Sequence, residues 1–352
     1  MPYRVIQWAT GAMGKTCLRA VIDHPDLELV GLYVHSPTKV GRDAGEIARR
    51  PPTGVVATDD IEAILALDAD VVIHAPLLSR PYTGHDADVC RLLRSGKNVI
   101  SINNYFHPPA LGPDYAARLT EACRAGGASL CGTGLNPGWA GERIAAVASE
   151  ICVDLDSLFI REVYDCSDMP NADYVFGVMG MGADPATLDL AASDFAHTFS
   201  QLYRQTIHWL GERMGLPIER VEADHSVVTA PEDLPVRAGL IRKGTVAATD
   251  WRLHGIAGGR RLITSSVNWI MHPGLKGYEG AAHWEIRLRG KPGLDIRIDL
   301  VEPADTTAKT RAVQYGVAGM VTSAIPAVVA APPGLFAFPD VPGYRRRLPP
   351  RP

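Results

Sequence analysis

The stretch ATGAMGKT, residues 9–16, has residue types and a spacing that could bind phosphate groups. A P-loop of the type found in ATPases and GTPases has the pattern Gly-x4-Gly-Lys-Ser/Thr. Gly14, Lys15 and Thr16 match the second half of that pattern, while Ala9 replaces its first glycine. A P-loop also needs an aspartate at the end of a buried apolar strand to hold magnesium. None of the apolar strands predicted in the first 140 residues ends in aspartate, which disfavours a nucleotide hydrolase.

The same stretch fits the first turn of a dinucleotide-binding domain, Gly-x-Gly-x-x-Gly, with Ala9, Gly11 and Gly14 at the glycine positions. Gly11 would let the backbone approach a pyrophosphate, and Gly14 would let the following helix pack on the strand. The N–H groups of residues 12–15 would face the phosphates at the helix N-terminus. A strand precedes the turn and a helix follows it, so we favour this interpretation. The predicted cofactor-binding residues are Thr10, Gly11, Ala12, Met13 and Gly14.

The end of the second predicted strand indicates which dinucleotide is bound. NAD enzymes usually place an Asp or Glu there, on the ribose 2′-hydroxyl. This strand ends in His35 and Ser36, and Lys39 and Arg42 follow in the loop. Hydroxyl and cationic groups suit a 2′-phosphate, so all four are predicted to bind the cofactor, with NADP(H) preferred and NAD(H) possible. The alternative is that they are ordinary loop residues.

Short apolar runs alternate with helical patterns over the first 140 residues. This alternation predicts a parallel, doubly wound sheet. The predicted strands are 3–9, 27–35, 69–76, 97–103 and 128–134, with a short one around GVVAT, and the predicted helices are 14–24, 59–67, 85–95, 113–125. Ligands of such sheets bind at the carboxyl ends of the strands. We therefore add Ala75, Pro76 and Asn103 to the cofactor-binding residues.

Residues 150–305 behave differently, because most of their apolar runs alternate with polar residues at a period of two. That period predicts a mainly antiparallel sheet, interrupted by one helix over 188–214. The predicted fold class is α/β, a Rossmann doubly wound parallel sheet plus an α+β domain. The Rossmann domain spans 1–145 and is completed by a helical C-terminal segment, 306–352. Residues 146–305 form the substrate and dimerisation domain.

The composition excludes several classes of partner. The 352 residues carry a net charge of −4, so no overall basic field attracts nucleic acid or an anionic membrane. The run Arg345–Arg347 is expected to be a solvated end. Six scattered cysteines and eleven histidines lack metal-ligand spacing, so no metal is predicted. The N-terminus carries no secretory pattern and the chain no apolar run suited to a bilayer, so we expect a cytoplasmic protein.

Five stretches together resemble a known family. They are WATGAMGK (8–15), ELVGLYVHSPTKVGRDAG (28–45), KNVISINN (97–104), GTGLNPGW (132–139) and AIPAVVAAPPGL (324–335). The chain resembles the amine dehydrogenases and 2,4-diaminopentanoate dehydrogenases, which share their N-terminal domain with dihydrodipicolinate reductase. The resemblance implies a Rossmann domain with an α+β domain, assembly as a homodimer, and hydride transfer between NAD(P)H and an imine or ketone carbon.

The chain departs from this family after the strand that contains NVIS. The amine dehydrogenases have a segment like CEEL there, in which a glutamate handles ammonia. Residues 102–106 of this chain are Ile-Asn-Asn-Tyr-Phe, without a carboxylate. An amide cannot shuttle a proton at neutral pH, so we favour reduction of a hydrophobic ketone, aldehyde or preformed imine. True amine dehydrogenase activity through another base and a non-catalytic dinucleotide sensor remain alternatives.

The remaining site residues follow from the same comparison. Any of them could instead be a local hydrogen-bonding, core or dimer-contact residue. In GTGLNPGW, Asn136 is predicted to hydrogen-bond the nicotinamide amide and Pro137 to fix the turn, and both are counted as cofactor-binding residues. The predicted catalytic residues are Asn104, Tyr105 and His107. Large apolar residues of the second domain predict a pocket for a small hydrophobic carbonyl or amine substrate, lined by Tyr164, Tyr174, Phe176 and Met179, with Trp139 of the first domain facing the same cleft.

Overall fold

A computed structural model describes residues 1–278, 283–304 and 310–338 of the chain. It divides into two compact units, one of residues 1–139 with 301–338 and the other of residues 140–300. The sequence analysis puts the two borders at 145/146 and 305/306. The run Arg345–Arg347 and the rest of the predicted C-terminal extension beyond 338 lie outside the described residues.

The first unit alternates strands and helices along the chain. Its elements up to the border are β1 (Tyr3–Trp8), α1 (Ala12–Asp23), β2 (Leu27–Tyr33), α2 (Ala44–Ala48), β3 (Ala57–Thr58), α3 (Ile61–Ala66), β4 (Val71–His74), α4 (Asp86–Arg94), β5 (Asn98–Ser101), α5 (Pro113–Gly126) and β6 (Ser129–Gly132). Short 3-10 turns lie at Pro37–Lys39, Tyr82–His85 and Pro108–Leu111. A helical segment, Leu135–Ile144, follows β6 and is interrupted by extended backbone at Asn136 and Pro137.

The second unit is built on one large sheet. Its elements are α6 (Ala145–Ser149), β7 (Asp154–Asp165), α7 (Asp194–Arg213), β8 (Arg220–Ala223), β9 (Ser226–Thr229), β10 (Leu234–Val236), β11 (Gly239–Ile241), β12 (Val246–Ala257), β13 (Arg260–Ile270), β14 (His283–Lys291) and β15 (Leu294–Asp299). One π-helical turn lies at Asp173–Val178. The chain then returns to the first unit with α8 (Ala312–Val329) and β16 (Gly334–Leu335).

The sheet of the first unit has the strand order β16-β6-β5-β4-β1-β2-β3, and every pair is parallel. Its central strand β4 is buried along its whole length, as expected of a strand with helices on both faces. The chain order reverses between β1 and β4, and in such sheets this switch point is where ligands bind. The predicted doubly wound Rossmann sheet is confirmed.

The sheet of the second unit has the order β15-β14-β7-β13-β12-β8, with β9 also pairing to β12 and a separate hairpin of β10 and β11. All pairs are antiparallel except β7 with β13, so the predicted mainly antiparallel sheet is confirmed. One face is covered by α7, whose Phe195 and Phe199 contact Trp251 and Trp269.

The long helix of the second unit begins later than the predicted residue 188. Ser193 caps α7 by accepting a hydrogen bond from the Ala196 N–H at 3.0 Å. Before it, Asp189 accepts bonds from the N–H groups of Ala191 and Ala192 and so holds a turn. Such side chains give the backbone N–H groups partners other than those of a helix. The helix therefore begins at Asp194, although the helical sequence pattern begins at residue 188.

Helix α8 has 18 residues and a mean hydropathy of 1.4, which by length and composition alone would allow it to cross a membrane. Its apolar side chains pack within the first unit. Val321, Ile325 and Val328 are fully buried and share a core cluster with Val5 and Ile73 of the parallel sheet. The helix also packs against α1. It therefore covers one face of that sheet.

The turn between β1 and α1 depends on two small residues. Ala9 adopts the left-handed conformation, with φ +71°, at the position that is glycine in the dinucleotide motif. A Cβ on Gly14 would lie under 3.0 Å from the carbonyl oxygen of Ala9. Since backbone cannot move aside as a side chain can, only glycine allows this contact between α1 and the turn.

We predict opposite effects for substitutions at these two positions. Gly14→Ala should lower the free energy of unfolding by about 2 kcal/mol, because its methyl group overlaps the Ala9 carbonyl. Ala9→Gly should raise it by up to about 1 kcal/mol, because it relieves the left-handed strain of a residue with a Cβ. Urea titrations of the purified variants would measure both values. A neutral Gly14→Ala would show that the turn is looser than described.

Candidate active site

A cavity of about 550 Å³ lies at the switch point of the parallel sheet. Its walls come from the carboxyl ends of β1, β2, β4 and β5 and from the start of α1. The lining residues are Ala9, Thr10, Gly11, Ala12, Met13, His35, Ser36, Lys39, Ala75, Pro76, Leu77, Leu78, Ser79, His85, Ile102 and Asn103. Ten of them are predicted cofactor-binding residues. The sequence analysis missed Leu77–Ser79 and His85, which follow β4. This segment contains no recognisable motif, but it follows the carboxyl end of a strand, where such sheets bind ligands.

The glycine turn forms one wall of this cavity. Gly11 precedes α1 with φ −65°, and a Cβ placed on it would meet no atom within 4 Å. The open space beside Gly11 is therefore available to a ligand that approaches the backbone. Gly14 does not line the cavity and instead holds α1 against the turn.

Thr16 does not have the environment of a P-loop threonine. Its side chain is 1% exposed, and its hydroxyl donates to the Ala12 carbonyl at 3.1 Å inside α1. The same hydroxyl accepts a hydrogen bond from Arg19. A hydroxyl bound in this way is not presented to a metal ion, which agrees with the dinucleotide interpretation of the turn.

The loop after β2 supplies the cationic side of the cavity. Lys39 reaches across to Thr10, where its Nζ donates to the carbonyl oxygen at 3.0 Å and to the hydroxyl at 2.9 Å. Burial, with Lys15 and Arg42 nearby, lowers the pKa of Lys39. A cation held near other cations favours an anionic ligand, since the ligand relieves their repulsion.

Besides Gly14, three predicted cofactor residues do not line the cavity. Arg42 is exposed and pairs with Glu46 one helical turn on, with an Nη2–Oε1 distance of 2.6 Å. Asn136 is half-buried and Pro137 buried in the interruption of the segment after β6. The positive charge of Arg42 and its place after β2 brought it into the predicted set, and the carboxylate of Glu46 four residues later was the missed signal.

The loop after β5 turns its two asparagines in different directions. Asn103 lines the cavity, and its amide donates to the carbonyl of Pro76. Asn104 is 0% exposed, and its Nδ2 donates to the carbonyl of Tyr82 at 3.0 Å. Among the described residues, the Oδ1 of Asn104 has no hydrogen-bond partner. Asn104 therefore does not line the cavity, although it was predicted to be catalytic.

Tyr105 is also directed away from the cavity. It is 1% exposed and has a left-handed backbone, with φ +67°. Its N–H donates to the Tyr82 hydroxyl at 3.0 Å, and its own hydroxyl donates to Asp86 Oδ1 at 2.9 Å. Burial and the neighbouring Asp86 raise the pKa of Tyr105 far above its ordinary value. His107, the third predicted catalytic residue, is half-buried at the end of the same loop.

Asp86 is the centre of a buried network that the sequence did not reveal. It is 2% exposed and accepts hydrogen bonds from Tyr105, from the Tyr115 hydroxyl at 3.3 Å and from Arg118. Burial raises the pKa of Asp86, and these hydrogen bonds oppose the rise. The network ties the loop after β5 to α4 and α5. No spacing rule links these residues, which come from separate elements.

Two histidines lie close together at the cavity, one buried and one in its wall. His74 ends β4, is fully buried, and makes a hydrogen bond of 3.1 Å from Nδ1 to the Ser101 hydroxyl. Its ring lies 5.3 Å from that of His85, which lines the cavity and bonds to the Leu77 carbonyl. Burial, together with His85 and His35, lowers the pKa of His74 well below its ordinary value, so its ring is neutral at pH 7.

Four of the five predicted substrate residues lie together in the second unit. Tyr164, Tyr174 and Phe176 are half-buried against a hydrophobic cluster in which Met179 is 0% exposed. Met179 is therefore a core residue rather than an accessible contact. Trp139 is half-buried and is the last residue of the first unit.

Comparisons with known proteins agree with the fold and with the resemblance. Residues 5–80 match the family described as dihydrodipicolinate reductase, N-terminus. An amine dehydrogenase from Streptomyces virginiae is 27% identical over 350 residues, covering 96% of this chain and 95% of that protein. A 2,4-diaminopentanoate dehydrogenase from Acetoanaerobium sticklandii is 22% identical, covering 96% and 93%. The solved amine dehydrogenase from Mycobacterium smegmatis has a TM-score of 0.78 at 20% identity, covering 99% and 98%.

These findings define the class of the protein. The switch-point cavity and the relatives identify it as an enzyme, an NAD(P)-dependent oxidoreductase, as predicted. More particularly, it is similar along nearly its whole length to amine dehydrogenases and to 2,4-diaminopentanoate dehydrogenases, with a dihydrodipicolinate reductase-like N-terminal domain. The predicted resemblance is thus confirmed.

We predict that Gly11→Ala impairs cofactor binding without affecting folding. The φ of −65° suits alanine, and the added methyl group enters open cavity space, where it would hold a pyrophosphate away from the backbone. Dinucleotide affinity should fall about tenfold or more, equivalent to at least about 1.4 kcal/mol. Isothermal titration would measure the affinity, and an unchanged melting temperature without ligand would serve as the control. Unchanged affinity would mean that the pyrophosphate lies elsewhere.

We expect Tyr105→Phe to affect stability more than catalysis. The change removes a buried hydrogen bond to Asp86 and should cost about 1–2 kcal/mol of unfolding free energy. Turnover should fall less than about tenfold, whereas loss of a general acid costs a hundredfold or more. Denaturation and steady-state kinetics on the same preparation would separate the two roles. A hundredfold loss of turnover at unchanged stability would establish Tyr105 as the proton donor.

Proposed function

We propose that the protein transfers hydride between NADPH and a small hydrophobic ketone, aldehyde or imine. The observation that carries the proposal is the cavity at the switch point, which joins an open glycine turn to a cationic rim. Hydride chemistry belongs to the bound nicotinamide, while the protein binds and orients it and excludes water.

The chemistry of the lining fits a 2′-phosphorylated dinucleotide. None of the residues that line the cavity is an Asp or a Glu, so no carboxylate stands ready to bind a ribose 2′-hydroxyl or to repel a phosphate there. His35, Ser36 and Lys39 instead lie together at the β2 side of the cavity. Their donors suit a phosphate, and this supports NADPH as the preferred cofactor.

Other lining residues suit the remaining parts of the cofactor. Pro76, Leu77 and Ile102 offer apolar surface that would exclude water from a bound ring. Asn103 is fixed by its bond to the Pro76 carbonyl, which leaves its Oδ1 to orient a polar group in the cavity. We propose Asn103 and the segment at Asn136 as the nicotinamide contacts.

The proton for the reduced substrate needs a donor near the loop after β5. Asn104 and Tyr105 are both buried with their donor groups directed into the protein. We therefore propose His107 as the proton donor, with Tyr105 acting through the loop that it holds. An imidazole titrates near neutral pH and can donate a proton where an amide cannot.

The substrate class rests on aromatic residues. Trp139 is half-buried in the first unit, and Tyr164, Tyr174 and Phe176 are half-buried in the second, so each keeps exposed surface. Such surfaces favour a hydrophobic substrate over a polyanion. We propose a small hydrophobic carbonyl compound or the corresponding amine.

A second candidate is ammonia-dependent reductive amination. The match to an amine dehydrogenase over 96% of the chain favours it. The missing carboxylate in the loop after β5 opposes it, because the family uses a glutamate there to handle ammonia. A dinucleotide sensor without catalysis is a third possibility, which any turnover of NADPH would exclude.

We propose a homodimer that works in the cytoplasm. On the sheet face opposite α7, Asp250 accepts hydrogen bonds from Ser266 and Asn268, and Asn268 accepts one from Arg161. Arg161 also lies 4.0 Å from Glu285, and both are less than one-fifth exposed. This organised polar face supports a dimer contact there. All six cysteines lie among the described residues, where each is buried and none forms a disulfide, which suits a reducing compartment.

The proposal predicts a distinct pattern of ligand stabilisation and turnover. NADPH at a hundred times its Kd should add about 2.7 kcal/mol to the unfolding free energy, and magnesium-ATP should add nothing. NADPH oxidation should then appear with hydrophobic ketones or aldehydes. Thermal shift assays and absorbance at the nicotinamide band would follow the two effects.

Matched conditions separate the candidate reactions. Turnover of carbonyls that does not need ammonia supports reduction, and turnover only with ammonia supports reductive amination. Stabilisation by NADPH without any turnover supports the sensor. Stabilisation by magnesium-ATP alone would overturn the oxidoreductase assignment.

A further inference from the structure

We propose that His35 makes the cavity rim a proton-linked site for a phosphomonoester, so that NADPH binds with uptake of a proton from solvent and NADH binds without it. The inference rests on the proposed function and deepens it, because it states how the same site distinguishes the two cofactors. It assigns the proton taken up on binding to His35 and not to Lys39.

The contacts of His35 leave its ring available to a ligand. The ring packs edge-on against Tyr33 at 5.2 Å and Trp8 at 6.2 Å, and it lines the cavity. Within the described part of the chain, neither ring nitrogen takes part in a hydrogen bond. An imidazole placed against aromatic surface on one side and an open cavity on the other can turn a nitrogen toward a bound phosphate.

The surroundings of His35 keep it neutral in the free protein. Burial and His85 lower its pKa, and Asp88 opposes them. His74 on β4 is neutral and Tyr33 on β2 keeps its proton, because burial shifts the pKa of each in the direction that favours the uncharged form. Among the described residues, Asp88 is thus the acidic group that acts on the pKa of His35.

A phosphomonoester dianion at the rim reverses this balance. An opposite charge in contact with an imidazole favours the imidazolium and raises its pKa. Lys39 is an ammonium before and after binding, since its lowered pKa starts from 10.5, so it contributes attraction but no proton. The proton that enters on binding therefore goes to His35.

The phosphate's own ionisation must be kept apart from that of His35. Its second pKa lies near 6, so at pH 7.5 it is almost fully dianionic and has hardly any proton to release. Uptake measured at pH 7.5 then reports on the protein. The affinity for NADPH should fall as pH rises through the pKa of His35 in the complex, while the affinity for NADH stays level.

Isothermal titration in two buffers tests the idea. The observed binding enthalpy is measured at pH 7.5 in Tris and in HEPES, and its dependence on buffer ionisation enthalpy gives the number of protons taken up. The ligands are NADPH, NADH, 2′,5′-ADP and 5′-AMP. We expect proton uptake with NADPH and 2′,5′-ADP, because the imidazole gains a proton beside the phosphate, and none with NADH or 5′-AMP.

Two substitutions of His35 test whether its ring takes up the proton. His35→Gln should abolish the uptake and weaken NADPH about tenfold while leaving NADH affinity unchanged. His35→Asn is a second variant, and because residue 35 is exposed both should fold. His24→Gln, at the exposed end of α1, is the matched control and should bind like the unchanged protein.

The outcomes separate this inference from the proposed function. NADPH binding without proton uptake, or uptake that persists in His35→Gln, would overturn the proton-linked site and leave the oxidoreductase intact. If neither dinucleotide bound, both the proton-linked site and the proposed function would be overturned. Uptake with 2′,5′-ADP but not 5′-AMP, lost in His35→Gln, would support the inference.

Discussion

The contact between Gly14 and the carbonyl of Ala9 is the constraint on which the site depends. It brings α1 against the end of β1, and this position places Ala12 and Met13, at the start of the helix, in the wall of the cavity. Ala9 tolerates a left-handed backbone to make the turn, and Gly11 leaves open the space beside it. One close backbone approach thus sets both the packing of the first unit and the shape of its ligand cavity.

A second constraint acts at the ends of β4 and β5. Asp86 holds Tyr105, and Tyr82 holds Asn104, so the loop after β5 is fixed by buried hydrogen bonds rather than left mobile. This arrangement leaves Asn103 as the asparagine that lines the cavity. The loop after β5 is thus part of a buried polar network.

The sequence predicted the fold better than it predicted the loop. Alternating apolar runs found the parallel strands because a strand buried on both faces must be apolar throughout, as β4 is. The alternation of apolar and polar residues at a period of two predicted β12 and β13, because one face of each strand packs under α7. Element ends were less predictable, because side chains such as Ser193 stop a helix locally.

The sequence by itself determined the glycine turn, the cationic residues near β2 and the absence of a carboxylate in residues 102–106, because each depends on residue type at fixed local spacing. Only the tertiary structure decided that Tyr105 and Asn104 are buried and that Asp86 accepts hydrogen bonds from Tyr115 and Arg118. These partners are set by how helices and loops from distant parts of the chain pack. A hydrogen bond between residues 19 or 32 positions apart leaves no periodic mark in a sequence.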